Sequence, residues 1–515
     1  MTRLFHRFTQ LRKALQGSDV SLVAVPENLV DIVWGTERPS EPNNQVVVLP
    51  DNFNGRAWQD KLAAIRKEMT TANAKLLVLS ALDEIAWTFN LRGSDIVYNP
   101  VFFAYAIIGH DFVSLFIDER KVSDQVLVHL NAAHKNGDVQ MKEGTKNDEE
   151  SVALFPYSAV ADYLSKYLAD ALTGPRDKVW LPAESTNEAV ASVVPKKSRL
   201  SKSSPVCLMK AIKNQTELDG MRNAHLKDAV AHCEFLLWLE NEMKHPSAEL
   251  TERSVADHFE KLRAEQADFV SLSFETISAV GAHAASPHYS LTDQSNCALA
   301  KDQVYLVDSG GQYRDGTTDV TRTVCFDEPT PYQKKCFTLV LKGHIQLAKQ
   351  KFPERTNGMR LDTLSRMGLW DVGLDFRHGT GHGVGHYLNV HEGPAGIGYR
   401  SLSYATEGIV ENMILTIEPG YYEDDAFGIR IENVYAIVPA ETEYCFPGSR
   451  FLTFESLTFV PIQRKFLDPT LLSASELAWL NDYHDQCLDK VGALLKSQGK
   501  RDALKWLEEQ CKPLG

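Results

Sequence analysis

The chain has 515 residues, 43% hydrophobic and 24% charged, the balance of a folded globular protein with apolar material for more than one core. Its 54 basic and 68 acidic residues leave a net charge of -14, which disfavours nucleic acid phosphates and anionic membranes as partners. No apolar run reaches the length of about 18 residues that a membrane span needs, and the 8 cysteines lack any C-x-x-C pair or disulfide-framework density, so they read as reduced thiols of a cytoplasmic protein.

The start, MTRLFHRFTQLRKALQG, is basic and has no acid before Asp19, which is compatible with a mitochondrial presequence. The helical spacing of Leu4, Phe8, Leu11 and Leu15 favours a plain surface helix instead. From residue 45 short apolar strand candidates follow at 45–50, 75–80, 112–117 and 178–183, alternating with helical stretches such as 58–69. That alternation predicts a layered α/β domain over 45–203. Within it, NGDVQMKEGTKNDEES (136–151) reads as a solvated loop, and the polar, lysine-rich PKKSRLSKSSP (195–205) marks the junction to the next domain. Nothing in this half assembles chemistry.

Over 204–515 the pattern changes. Thr216 and Asp219 suggest a capped start to a long helix reaching LLWLENEM (236–243), and a second helix follows near 250–266. Strands are expected at SFETISAVG (273–281), in the strand, turn and strand of QVYLVDSGGQYRDGTTDVTRTVCF (303–326), and at MILTIEPG (413–420) and FGIRIENVYAIV (427–438). Helices first and strands after predict an α+β domain with helices on one face of a curved, largely antiparallel sheet. No internal repeat is obvious. The helical, amphipathic C-terminal stretch is expected to pack on this domain or on a partner subunit.

The densest chemistry lies in HGTGHGVGHYLNVHEGP, residues 378–394, where His378, His382, His386 and His391 stand among five glycines. Imidazole is the commonest metal ligand, and glycine permits close backbone approach. Upstream, a hairpin through the glycine turn would set Asp308 beside Asp319, and adjacent carboxylates repel unless a cation or a proton lies between them. Both are also ordinary turn formers. Glu418 and Glu432 are acids within apolar strands, and each needs an opposite charge or a metal. Arg430 is the candidate salt-bridge partner, two residues from Glu432 on the same strand face, but one arginine cannot neutralise four carboxylates. Asp308, Asp319, His382, Glu418 and Glu432 together make an oxygen-rich set suited to two hard or borderline divalent cations, Mn²⁺ before the others, and a bridged pair of that kind supports hydrolysis. A structural zinc site on His378 and His382 is the alternative, without a cysteine pair to complete it.

The order of DSGGQYRDGTTDVTRT, HGTGHGVGHYLNVHEGP, TIEPGYY and FGIRIENV closely resembles the Xaa-Pro aminopeptidases of the pita-bread metallopeptidase family, in their eukaryotic cytosolic form. VPENLVDIVWGTERPSEPNNQ, from about residue 20, resembles a family segment too. The resemblance implies a creatinase-like N-terminal α/β domain followed by a pita-bread catalytic domain, and a homodimer through the latter. It implies that Asp308 and Asp319 hold one ion, that Asp319 and Glu432 bridge, and that His382 and Glu418 complete the second ion. Glu418 would also act as general base. His288, His378 and His391 would line the substrate site and serve catalysis, with Arg430 among the substrate-binding residues. The expected substrates are peptides with a penultimate proline. Full-length eukaryotic members have three domains, so residues 1–44 are expected to be the remnant of a first domain or a linker. His386 and His283 depart from the family pattern, and the additional imidazole of His386 either adds a ligand or points away. The rival readings are a prolidase-like dipeptidase of the same fold, or an inactive pita-bread binding protein.

Overall fold

The computed structural model describes residues 5–132, 151–244, 250–400 and 408–515, apart from residues 24, 26, 173 and 175. The expected loop at 136–151 lies, up to residue 150, outside the described residues, as does Leu4. The chain divides into two compact units, Met1–Lys210 and Ala211–Gly515. The division falls later than the 203/204 boundary expected from composition. The reason is local: Ser204 donates to Glu84 at 2.6 Å and Lys210 pairs with Asp83 at 2.9 Å, which ties the short helix Pro205–Ala211 to the first unit.

The first unit is built on a six-stranded mixed sheet. Its spatial order is Ala153–Phe155, Val113–Ile117, Ala104–Gly109, Ala74–Leu79, Lys178–Trp180 and Arg199–Leu200. Both pairings of Ala104–Gly109 are antiparallel and the other three pairings are parallel. Leu76, Val78, Ile107, Phe116 and Val179 project from its strands into one core with Leu164 of the helix Val160–Ala171. The helix Trp58–Thr71 forms where periodicity placed it, and it buries Trp58, Leu62, Ile65 and Met69. The strand Ala104–Gly109 went unread because it is buried at five of its six residues, so it is apolar without alternation. The N-terminal helix Phe5–Ala14 is a surface helix, with Phe5 buried and Leu11 exposed. Farther on, the helix Leu29–Trp34 has no buried residue.

The second unit is α+β, and its sheets are antiparallel as expected, but the helices do not all come first. A helix pair, Gln215–Lys244 and Glu252–Ala264, is followed by strands; a second pair, Pro331–Ala348 and Met359–Trp370, precedes the strands from Gly381–Gly383 onward. The second pair escaped periodicity because Pro331–Ala348 is surrounded: Cys336 through Leu341 are all buried, so it has no polar stripe. The long helix, Gln215–Lys244, is capped two positions before the expected Thr216. Asn214 Oδ1 accepts from the Glu217 N–H and Glu217 Oε2 accepts from the Asn214 N–H, each at 3.0 Å, a reciprocal cap in place of Thr216 and Asp219.

A three-stranded sheet carries Val304–Ser309 between Ile277–Val280 and Val320–Cys325. A six-stranded sheet runs in the order Phe352–Pro353, Phe451–Ser456, Asn433–Pro439, Ile414–Ile417, Gly381–Gly383 and Glu392–Ile397. The stretch 427–438 is two strands, Phe427–Arg430 and Asn433–Pro439, and the chain turns from one sheet to another between them. The C-terminal helices Ala474–Ser497 and Arg501–Gln510 pack on this unit. Leu480, Cys487, Leu495 and Leu507 join its main core, and Trp506 donates to Glu240 at 2.9 Å.

Candidate metal centre

The register of two strands brings the first two acids together. Asp308 pairs across the sheet with Thr321, and Asp319 lies two residues before Thr321, so period-two geometry puts both carboxylates on one face as diagonal neighbours. Glu432 stands at the break between Phe427–Arg430 and Asn433–Pro439. Its N–H donates to the Thr321 carbonyl at 3.2 Å, and the Thr321 hydroxyl donates to its Oε2 at 2.7 Å. Arg322, 2% exposed, fastens the same turn: it donates to the Glu432 carbonyl, the Asn433 side chain, the Val460 carbonyl and the Tyr483 hydroxyl, all within 2.9 Å.

The histidine stretch enters as the short strand Gly381–Gly383, and the glycines there have a steric cause. A Cβ on Gly381 would collide with the Thr416 carbonyl, and one on Gly383 with the Glu392 carbonyl. Only glycine on both sides of His382 lets this strand fit between its two neighbours. His382 Nδ1 lies 2.9 Å from the Gly383 carbonyl, which leaves Nε2 to face the acids: 3.4 Å from Asp319 Oδ2 and 3.7 Å from Glu418 Oε1. Glu418 is placed by its N–H donating to the Thr380 carbonyl at 2.7 Å. Thr380 in turn donates to Asp362, whose partner Arg366 also holds the carbonyls of Phe376 and His378.

Four carboxylates therefore converge with one imidazole, and Asp319, His382 and Glu432 offer donor atoms within 4.8 Å of one another. Burial, then the charges of Asp308 and Glu418, pushes Asp319 well above the usual carboxylate range. Glu432 is raised in the same way by burial and then by Asp319, Asp308 and Glu418. Glu418 is raised by burial and partly relieved by His382 and Arg430. Asp308 Oδ1 and Glu432 Oε1 are buried with no hydrogen-bond partner. Oxygen atoms of this kind are costly unless a proton or a cation meets them. The donor set and the orphaned oxygens fit two divalent cations, with Asp308, Asp319, His382, Glu418 and Glu432 as the groups that would hold them.

The structure changes the expected role of Arg430. It does not pair with Glu432, because the chain turns between them. Nη2 donates to Asp308 Oδ2 at 2.7 Å, Nη1 to the Tyr422 hydroxyl at 2.8 Å and Nε to the Thr321 hydroxyl at 3.1 Å. At 3% exposed, it stands behind Asp308 as an anchor and not on a substrate surface. Tyr422, which the sequence reading passed over, also meets His378 Nε2 at 2.9 Å. Burial and then the Arg430 charge lower His378 to about 3. His391 lies edge-on to His382, with ring centroids 4.3 Å apart, and is held at about 4, first by the His382 charge and then by lost hydration. His288 and His391 are exposed and His378 is half-buried, and the charge of His288 bears on both of the others, which sets the three imidazoles near one another at the surface side of the cluster.

The two departures resolve differently. His386 is 3% exposed, and its Nε2 lies 3.2 Å from where a Cβ on Gly220 would stand. It points at the long helix, and the donor group of Asp319, His382 and Glu432 does not include it. His283 sits apart from the acid cluster, with Nδ1 2.9 Å from Glu252. Thr321, Thr416 and Arg322 were also missed; only the alternation of DVTRT, with Thr321 on the Asp319 face, hinted at the first.

Residues 37–217 match the creatinase/prolidase N-terminal domain, 219–439 metallopeptidase family M24, and 450–514 the C-terminal region of that peptidase family. The chain is similar to Xaa-Pro aminopeptidase 1 of Dictyostelium discoideum, with 43% identity over 95% of this chain and 74% of that protein. A probable Xaa-Pro aminopeptidase P of Sclerotinia sclerotiorum is 45% identical over 97% of this chain and 80% of its own length. Among solved structures, the X-prolyl aminopeptidase of Caenorhabditis elegans, a cytosolic enzyme with a di-nuclear active site, superposes with a TM-score of 0.91 at 42% identity, covering 99% of this chain and 79% of that one. An Xaa-Pro dipeptidase from Bacillus anthracis, at 20% identity and a TM-score of 0.60, covering 79% of this chain and 99% of that one, shares the fold. The chain belongs to metallopeptidase family M24, in its Xaa-Pro aminopeptidase group.

Proposed function

We propose that the chain is a metal-dependent aminopeptidase that hydrolyses the bond between a free N-terminal residue and a penultimate proline. The observation that carries the metal chemistry is the cluster of four carboxylates with buried, unpartnered oxygens on Asp308 and Glu432. The proline preference follows the relatives, which are 43–45% identical over nearly the whole chain. Asp308 and Asp319 would hold one cation, Asp319 and Glu432 would be shared, and His382 and Glu418 would complete the second. A bound pair of divalent cations polarises the scissile carbonyl and generates a nucleophile near neutral pH.

The protein groups do the rest. Glu418 has 19% of its side chain exposed, which makes it the member of the cluster able to pass a proton to the leaving nitrogen, the work of a general base turned acid. His391 and His288 stand at the surface side of the cluster and present N–H groups to the oxyanion that develops on the carbonyl. His378 is tied to Tyr422 and through it to Arg430, and it lines the substrate side. Arg430 orients Asp308. Manganese is the proposed metal, because an oxygen-rich set with one imidazole suits it better than thiolate-selecting ions.

The test strips the protein of metal and adds Mn²⁺ back, following release of the first residue from an Xaa-Pro-Pro peptide, an Xaa-Ala-Pro control and an Xaa-Pro dipeptide. Recovery confined to the longer proline peptide is expected. Cleavage of the dipeptide alone would make the chain a prolidase, and no cleavage of any peptide with two ions bound would make it a binding protein. The proposal includes a homodimer through the second unit, as the family resemblance implies, and a purely monomeric sedimentation profile at micromolar concentration would remove that part. It also includes a cytosolic location, as described for the nematode relative; no helix among the described residues is long and apolar enough to cross a membrane.

A further inference from the structure

A second group of metal-binding side chains lies in the catalytic unit and shares no residue with the first. Glu252, His283 and Cys297 each offer a donor atom, all within 4.8 Å of one another. His283 Nδ1 is 2.9 Å from Glu252 Oε1 and 3.7 Å from Cys297 Sγ. Ligands of one tetrahedral zinc ion, at bond lengths of about 2.0–2.3 Å, stand roughly 3.3–3.6 Å apart. Moves of a few tenths of an ångström would bring His283 Nδ1 to those separations from Glu252 Oε1 and Cys297 Sγ.

The scaffold around them is preorganised. Glu252 opens the helix Glu252–Ala264, which Thr251 and Ser254 cap reciprocally. Its N–H donates to the Cys297 carbonyl at 3.0 Å, and Thr251 bridges to Ala298, so Glu252 and Cys297 sit on two paired segments. The carboxylate is held on both oxygens: the Val280 N–H donates to Oε1 at 2.9 Å and the Tyr289 hydroxyl to Oε2 at 3.0 Å. Hydrogen bonds of this kind orient a ligating carboxylate. The His283 ring stacks on Tyr289, with centroids 4.6 Å apart and planes 19° apart.

Charge points the same way. The Glu252 side chain is fully buried, and among the described residues its only ion-pair partner is His283. A buried carboxylate needs an opposite charge at its side, which a divalent cation at this position would supply. His283 keeps 33% of its side chain exposed, which leaves a path to solvent. Thiolate sulfur is a zinc ligand, and binding a cation releases the thiol proton.

We propose that Glu252, His283 and Cys297 form a second metal site, selective for a zinc-type cation, with a fourth position open to water. Its one-sulfur, one-nitrogen, one-oxygen donor set differs from the oxygen-rich catalytic cluster, so the two sites sort metals by softness. A bound ion would join the start of the helix Glu252–Ala264, the turn Gly281–Ala285 and the Cys297 segment. That turn leads directly into His288 at the surface side of the catalytic cluster.

The experiment uses the full chain with its catalytic metals bound. Zn²⁺ is added, excess is removed, and metal per chain is counted; in parallel, Co²⁺ is added and the near-ultraviolet thiolate-to-cobalt band is recorded. No cysteine belongs to the catalytic cluster, so that band reports a thiolate site outside it, and Cys297→Ser shows whether Cys297 supplies the thiolate. A third equivalent of metal and the band are expected, with both lost in Cys297→Ser and in His283→Asn while the catalytic pair and peptide cleavage are retained. Two equivalents and no band in the unaltered protein would overturn the proposal, as would a band that survives Cys297→Ser. Either result would leave Glu252 and His283 as a hydrogen-bonded pair that fastens the turn.

Discussion

Thr321→Val tests whether the second ring of contacts holds the acid cluster in shape. The Thr321 hydroxyl donates to Glu432 Oε2 at 2.7 Å and accepts from Arg430 Nε at 3.1 Å, and the residue is fully buried. Valine keeps the volume and removes both bonds. A hydrogen bond to a charged group contributes about 1.5–3 kcal/mol, and about 1.4 kcal/mol is a factor of ten in an equilibrium constant. Metal affinity should therefore fall about 10–100-fold, the range found when partners of metal ligands are removed. Competition with a chelator of known affinity measures it, and saturating metal should restore most of the turnover. Thr323→Val is the matched control: Thr323 exchanges hydrogen bonds at 2.9 and 3.0 Å with the Arg430 backbone and touches no acid. It should lower stability without changing metal affinity. Unchanged affinity in Thr321→Val, or an equal loss in the control, would refute the idea that this hydroxyl aims Glu432.

Asp319→Ala removes the acid nearest to His382, at 3.4 Å, and the one proposed to be shared between two ions. Bound metal and turnover should both fall by more than the ~100-fold reached by outer contacts, read by metal analysis and peptide cleavage; a mutant with full activity would sink the assignment. Glu84, in the first unit, is raised to about 8 by burial and then by Asp83. Its folded form keeps a proton that the unfolded chain has already released, so stability falls as pH rises from the ordinary carboxylate range to about 8. The slope should approach about 1.4 kcal/mol per pH unit. Urea unfolding across that window should show the slope in the natural chain and a flatter profile in Glu84→Gln; identical profiles would count against a protonated Glu84.

The chemistry was legible in the sequence because its parts are rare where they stand. Glu418 and Glu432 interrupt apolar strands, and the glycines around His382 announced a close backbone approach that the Thr416 and Glu392 carbonyls explain. The helix pair Pro331–Ala348 and Met359–Trp370 was not legible. Pro331–Ala348 is buried on most sides and so lacks a clear amphipathic period, while Met359–Trp370 buries Asp362, Ser365 and Arg366 on its inner face, so its apolar residues alone do not mark that face.

By itself the sequence determined the family and which donor-bearing residues are available, since residue type and spacing carry that information directly. Only the tertiary structure decided which partner each charged group takes. Period-two alternation assigns a side chain to a face but does not say which strand crosses opposite or where a strand breaks. For that reason Arg430, placed beside Glu432 by spacing, pairs with Asp308, which is remote in sequence. His386 turns toward Gly220, and His283 meets Glu252 and Cys297, by the same rule: register and turns set the distances on which charge pairing depends.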